Sequence, residues 1–489
     1  MSIPAVATVP SAASSVARSD FPTWLPPMLV KELRQGLRTR GFVGAVMGFQ
    51  FLMAILMMGA VVGSDAMAPG TRATTVTVIN GFFWTLLTVQ LLLITPGRAL
   101  ASLQSEVDAR SLDLLMLTRL SAWRIVVGKW SSLVAQAALL LIAMLPYCVV
   151  RYFAGSVDLV SDAGTCVALL GGCAVMTAAG LWASGMPKVV RVFFVIVVVF
   201  GAQVWRPLVT GAAGSGVFPS FRGADVAMWY YDGALALVFF LVAAVRRIAP
   251  PAENHALLAR LLPLLALAPA PAWALAGRSS VAAGQFGFAG CFTLLVCAVE
   301  LGSVRRPMAV HVRPWLARGA VWQLVGRFAL PGWPSALLFT VVAIAVPVLV
   351  VQLPGVMPAH NVMRVAWLAV LALGGLAFPV LALVLFKKTA ARSAASLFGL
   401  VLGAMSALAA TAAAMVSAFP LRYAGFDDFV RLLPVAGFWL SLGSDELSNA
   451  TIFGQACLIL VVLGTVWWLA RDYWRQVAAL EARVRATPP

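Results

Sequence analysis

Charge is what this sequence has least of. Asp, Glu, Lys and Arg make up 11% of its 489 residues, against about 25% in a soluble domain, which excludes a domain facing water on every side. Histidine is scarcer: only His255, His311 and His360 occur. All three are expected in solvated loops far apart in sequence, which leaves little support for a metal centre or a His-based nucleophile relay. The six cysteines contain no CxxC pair, so neither a disulfide frame nor a thiolate metal site is indicated and they read as small buried hydrophobes. No Gly-x-x-x-x-Gly-Lys-Ser/Thr run exists to cradle a phosphate, because Gly128-Lys129 lacks the upstream glycine and is followed by Trp130. The first twenty residues have no basic start before an apolar core, so residues 1–23 read as a disordered tail and not as a cleaved signal peptide.

Apolar residues fill the space that these absences leave. They make up 62% of the chain at a mean hydropathy of +0.94, and crossing roughly 30 Å of hydrocarbon takes about 20 of them in a row. Twelve such stretches lie between the charges: 41–62, 76–95, 126–150, 165–185, 192–210, 226–245, 261–276, 281–302, 335–353, 365–386, 394–419 and 450–470. The seventh is the shortest and is crowded by Pro263, Pro269 and Pro271, which predicts a kinked, re-entrant or interfacial segment. A net charge of +17 would suggest nucleic acid for a soluble chain. Here 27 of the 35 Lys and Arg fall on one side of the spans, leaving Arg72, Arg151, Arg206, Arg222, Arg278, Arg364, Arg422 and Arg431 on the other. By the positive-inside rule that bias reports topology and not nucleic-acid binding. The expected fold is all-α, a polytopic transmembrane bundle of about twelve spans, N-in and C-in, lying in lipid in the cytoplasmic (inner) membrane.

Ionisable residues are nearly absent from the spans as drawn, so an ion-coupled relay has no visible carrier. Glu300, at the inner end of the eighth span near Arg305 and Arg306, reads as half of a solvated ion pair.

Two segments near the N-terminus break the apolar monotony. Leu25, Leu29, Leu33 and Leu37 recur every four residues, while Lys31, Arg34, Arg38 and Arg40 cluster on the opposite side. This predicts an amphipathic helix on the inner membrane surface, with Pro26 and Pro27 in its first turn and a corner at Gly41; an ordinary basic flank is the competing reading. The segment 96–124 carries both charge signs, with Glu106, Asp108, Arg110 and Asp113 close together. On a helix, Leu103, Val107 and Leu114 form one apolar stripe, and Ser121 is placed to cap a new helix from Ala122.

This loop resembles that of the permeases of type 2 ATP-binding-cassette (ABC) transporters. Their first cytoplasmic loop typically reads acid, any, acid, two residues, Thr or Ser, Leu, Glu, then leucines, Thr-Pro-Leu-Ser, and Ile or Val before Gly-Lys. Here the run is Glu106-Val107-Asp108-Ala109-Arg110-Ser111-Leu112-Asp113-Leu114-Leu115, then Thr118-Arg119-Leu120-Ser121, then Ile125 and Gly128-Lys129. The match covers 24 residues without a gap, from Glu106 to Lys129. Lys31-Glu32-Leu33-Arg34 resembles part of the same family's elbow helix. Arg110 stands where Gly is common and Arg119 where Pro is common, so the turn after the helix is expected to differ.

The resemblance implies an exporter's permease subunit, itself no enzyme and binding no cofactor, whose loop docks on a separate cytoplasmic ABC ATPase that uses ATP. It implies a homodimer or a heterodimer with a second permease. The permease-like unit is 24–250, with 251–489 a second six-span region of undetermined relation. That region carries no second acidic loop, since 387–392 is too short. Within it, 314–333 reads either as a second surface helix or as a basic loop anchored by Trp315, Trp322 and Trp333. The outer loops 211–225 and 420–449 stand where re-entrant helices occur in that family, an ordinary surface loop being the alternative. Two rivals remain open: a membrane enzyme acting on lipid-linked substrates, and a non-transporting assembly partner.

Overall fold

The computed structural model describes residues 27–66, 80–108, 121–153, 159–186, 191, 224–303, 305–316, 318–353, 359–386, 394, 397–408, 411 and 449–486. Among them every regular element is a helix. In chain order these are α1 (Pro27–Leu37), α2 (Arg40–Ala66), α3 (80–108), α4 (Ala122–Phe153), α5 (Leu159–Ser184), α6 (Ala224–Ile248), α7 (Ala256–Leu267), α8 (Pro269–Leu275), α9 (Ser279–Leu301), α10 (Ala309–Leu316), α11 (Ala320–Ala329), α12 (Trp333–Val350), α13 (Ala359–Leu385), α14 (397–408), α15 (Asn449–Leu469) and α16 (Arg471–Ala486). Eight helical stretches among the described residues are long and apolar enough to cross a bilayer, which fits a multi-pass membrane protein. The fifth expected span and both long outer loops lie outside the described residues, apart from 224, 225 and 449, which open α6 and α15.

The bundle is greasy outside because lipid, not water, is its solvent. Met47, Phe51 and Met58 on α2 are 68–70% exposed, an arrangement no water-facing helix would sustain. The chain adjusts its helices at prolines. Pro96 cannot sit over the carbonyl of the preceding turn, and just before it α3 widens into a π-helical turn at Gln90–Ile94, where the Thr95 amide and its Oγ1 both donate to the Gln90 carbonyl. The seventh stretch is a broken span: α7 and α8 meet at Ala268, and together Ala256–Leu275 is one of the eight candidates. Pro269 removes the amide that would bond the Leu265 carbonyl, and the Tyr231 hydroxyl donates to that carbonyl at 2.6 Å instead.

Three apolar clusters build the interior. Phe49, Met53, Phe83, Leu87, Leu140 and Met144 join α2 to α4 at one level. Ala99, Val126, Leu181, Ala244 and Val245 join α3, α4, α5 and α6 nearer the α1 end. Leu235 and Phe239 of α6 also enter the third cluster with α7, α9, α12 and α13, so α6 is the seam between the two halves. Beneath the second half, α10 and α11 pack with the C-terminal α16 around Val312, Leu330 and Val477. Trp315 stacks on Trp322 there, with Val321 and Leu324 exposed on the α11 face, and Trp333 opens α12. The Tyr473 hydroxyl donates to the Pro331 carbonyl at 2.8 Å, and burial pushes its phenol above the usual range, which keeps that donor protonated.

Several expectations are corrected. Glu300 is not solvated: it is fully buried at the seam, with Arg246 and Arg260 on its two carboxylate oxygens. Nor is the interior free of ionisable groups: Asp232 is buried inside the sixth span as drawn, and Arg151, Asp162 and Arg260 are buried in the spanning helices one to three residues beyond the drawn ends. His311 lies in α10, buried, where it accepts at Nδ1 from the Met308 amide. Of the cysteines, Cys148, Cys173 and Cys297 are buried, but Cys291 and Cys457 are exposed on the bundle surface. The corner after α1 falls at Arg38-Thr39, where the Thr39 hydroxyl donates to the Gly36 carbonyl and accepts from the Phe42 amide; Gly41 is already helical.

Candidate functional site

The residues singled out from the sequence meet at the α1 end of the bundle. α1 forms as its leucine spacing predicts: Leu29, Leu33 and Leu37 are half-buried, while Lys31 and Arg34 are exposed. It lies across the start of α4. Gly128 permits the crossing, because a Cβ there would stand 2.8 Å from the Met28 side chain. About two turns further along, Gly36 is pressed against the Gln136 side chain, which would have to shift to admit a Cβ there. Between these contacts the Lys129 ammonium, 5% exposed, faces both carboxylate oxygens of Glu32 at 3.4 Å. A lysine so far inside a helix contact needs a nearby anion to offset its lost hydration.

α3 reaches the same place from the other side. The Arg98 guanidinium donates to Gln136 Oε1 at 2.7 Å, and the Gln136 amide turns to Ser132. These groups line a cavity of about 140 Å³ that opens beside α1, walled by Glu32, Arg98, Lys129, Ser132 and Gln136. Glu106 and Asp108 fall on the last turns of α3, and nothing further is described of their side chains. Arg110, Ser111, Leu112, Asp113, Leu115, Thr118 and Leu120 lie outside the described residues, as does Leu25. Ser121 caps α4 by accepting from the Arg124 amide at 3.4 Å.

The chain matches no protein-family profile, no curated protein and no solved structure. The site's own chemistry therefore has to carry the reading. Among the described residues no cluster of His, Cys, Asp and Glu is arranged to hold a metal ion. What the α1 site has is a set of ties: the Glu32–Lys129 ion pair joins α1 to the start of α4, and the charge-assisted Arg98–Gln136 hydrogen bond joins α3 to α4.

Two buried polar clusters escaped the sequence reading. At the opposite end of the first half, Arg151 donates to Asn80 at 2.8 Å and Asp162 at 2.9 Å, under the rings of Phe83 and Trp84. At the α1 end of the second half, Arg246 and Arg260 hold Glu300, and Arg260 also donates to Ser335 at 2.8 Å and to the Phe328 carbonyl. The available signal in each case was an acid or arginine inside or at the edge of an apolar run, which the bilayer tolerates only when partnered.

Proposed function

We propose that the chain is the membrane-spanning permease subunit of an ABC exporter, with about twelve spans, both termini in the cytoplasm and a location in the cytoplasmic (inner) membrane. A separate cytoplasmic ATPase docks on the segment from Glu106 to Ser121 and supplies the energy of ATP hydrolysis; the permease works as a homodimer or with a second permease. One observation carries the reading. The Glu32–Lys129 pair joins the elbow-like Lys31-Glu32-Leu33-Arg34 to the Gly128-Lys129 that ends the family-like run, so the two stretches of resemblance form one contact.

In this mechanism closure of the paired ATPases pushes the inner end of α3. The push passes through Arg98–Gln136 and Glu32–Lys129 to α4 and α1, and tilts the spans between inward- and outward-open states. The chain's part is to receive and convert motion, and it performs no bond chemistry itself.

Charge reversal in the loop tests this. Glu106→Lys with Asp113→Lys is expected to leave membrane insertion unchanged, since both acids are read as lying in water. It is expected to lower the amount of ATPase that co-purifies by about tenfold or more, as like charges meet across the contact. Normal insertion with undiminished, transport-competent ATPase would remove the docking role.

A further inference from the structure

The half of the second bundle away from α1 holds an acid that meets no cation among the described residues. Asp232 lies on α6, 14 residues before Arg246 and hence about 21 Å from it along the helix. It is 6% exposed. Among the described residues one side chain meets its carboxylate: Gln285 of α9, whose Nε2 donates to Oδ1 at 2.7 Å and to the Ala266 carbonyl of α7 at 2.8 Å. Gln285 is itself 0% exposed, and its Oε1 receives no hydrogen bond. Neighbouring Tyr231 has committed its hydroxyl to the Leu265 carbonyl. From α4, α5, α7 and α9, all packed against α6, no charged side chain of the described residues reaches Asp232, and Arg151 of α4 is held instead by Asn80 and Asp162.

Two deficits thus sit in one place. An ionised Asp232 is a buried charge without a counter-ion, and Gln285 Oε1 is a buried acceptor without a donor; each is penalised away from water. A single proton removes both. Placed on Oδ2, it neutralises the carboxyl and supplies the O–H that Gln285 Oε1 lacks, closing the two-bond ring in which a carboxylic acid pairs with a primary amide. The second amide hydrogen keeps the Ala266 carbonyl. A metal ion fits less well, because the Gln285 N–H donors, which repel a cation, stand between the carboxylate and that carbonyl.

We propose that Asp232 and Gln285 form a proton-binding site inside the membrane-spanning bundle, a site independent of the proposed ATPase contact. The proton holds α6 and α9 to α7 just before its break at Ala268–Pro269. Release breaks the acid–amide ring and leaves a carboxylate that draws water or a cation, loosening the broken span where its backbone ladder is already interrupted. Protonation of Asp232 and packing of that span are therefore linked.

Infrared spectra of the purified chain in lipid nanodiscs test the proposal. Wild type near neutral pH, where a solvated aspartate is ionised, should show the carbonyl stretch of a protonated carboxylic acid. D232N should lack it, Gln285→Leu should shift its frequency, and raising the pH should abolish it reversibly. D232N is expected to fold, since an asparagine re-forms the ring as an amide–amide pair. Should it fail to fold, the Gln285→Leu shift in protein carrying carbon-13 aspartate makes the same test. Absence of the band at neutral pH, or a band unmoved by Gln285→Leu, overturns the proposal. Loss of the band on adding sodium chloride at constant pH overturns it in favour of a metal-ion site.

Discussion

Replacing Glu300 by Gln should be among the most damaging single changes in the second half. The carboxylate is fully buried and faces Arg246, 9% exposed, and Arg260, 3% exposed. Truncating one partner of a buried ion pair costs about 3–5 kcal/mol, because the surviving charge stays desolvated and unopposed. Here two guanidinium groups lose the same anion. The two losses share one residue and do not add, so about 3–5 kcal/mol is also the expected total, or roughly 10² to 10⁴ in the folded-to-unfolded ratio. Removing Arg246 alone should cost less, since Glu300 keeps Arg260, and Arg260 keeps Ser335 and the Phe328 carbonyl. Unfolding in mixed micelles, followed by tryptophan fluorescence, gives the ordering. A triple change of Arg246→Met, Glu300→Leu and Arg260→Met should recover at least half of the Glu300→Gln loss, since well-packed apolar groups replace a buried ion cluster at little cost. The reasoning fails if Glu300→Gln costs less than about 1 kcal/mol, or if Arg246→Ala proves the worse of the two.

α1 and the topology give two more tests. Leu29→Glu with Leu33→Glu should impair recovery in the membrane fraction more than Lys31→Gln with Arg34→Gln, because half-buried leucines lose about 1 kcal/mol of apolar burial each while the basic pair lies exposed. Equal and negligible effects would reduce α1 to a basic flank. Tags at both termini should be shielded in intact cells and a tag at Gly443 should react with an impermeant reagent. A shielded Gly443 tag would rule out the assigned order of the last two spans.

What the sequence disclosed was local. The spacing of Leu29, Leu33 and Leu37 against Lys31 and Arg34 gave α1 and its two faces, and Ser121 gave the start of α4, because caps and amphipathic stripes are decided within a turn or two. Helix-crowding prolines likewise announced the break at Ala268. Long-range pairing was not legible. Glu300 had Arg305 and Arg306 beside it in sequence, yet its partners stand 54 and 40 residues earlier, and nothing within a window of one helix selects them. The same holds for Asp232 with Gln285, 53 apart, and for Arg151, which charge counting assigned to an outer loop and packing drew under Phe83 and Trp84. Sorting arginines by side treats them as solvated, and that assumption fails where the helix termini are themselves enclosed.

The wide turn in α3 sets the phase of that helix. In an unbroken α-helix, positions 18 apart lie five whole turns apart and point the same way. Asn80 and Arg98 are such a pair, but the five-residue loop closed by the Gln90 carbonyl takes up about one residue more than an ordinary turn, so the two halves of α3 are rotated against each other by up to about a quarter of a revolution. Asn80 consequently meets Arg151 at one end of α4 while Arg98 meets Gln136 nearer the other. Straightening that turn would turn one half like a key, and either Arg151 would lose its bond to Asn80, keeping Asp162, or Arg98 beside α1 would lose Gln136. α3 thereby carries a rotational offset that ties the register of the first half's two polar ends to a single local irregularity.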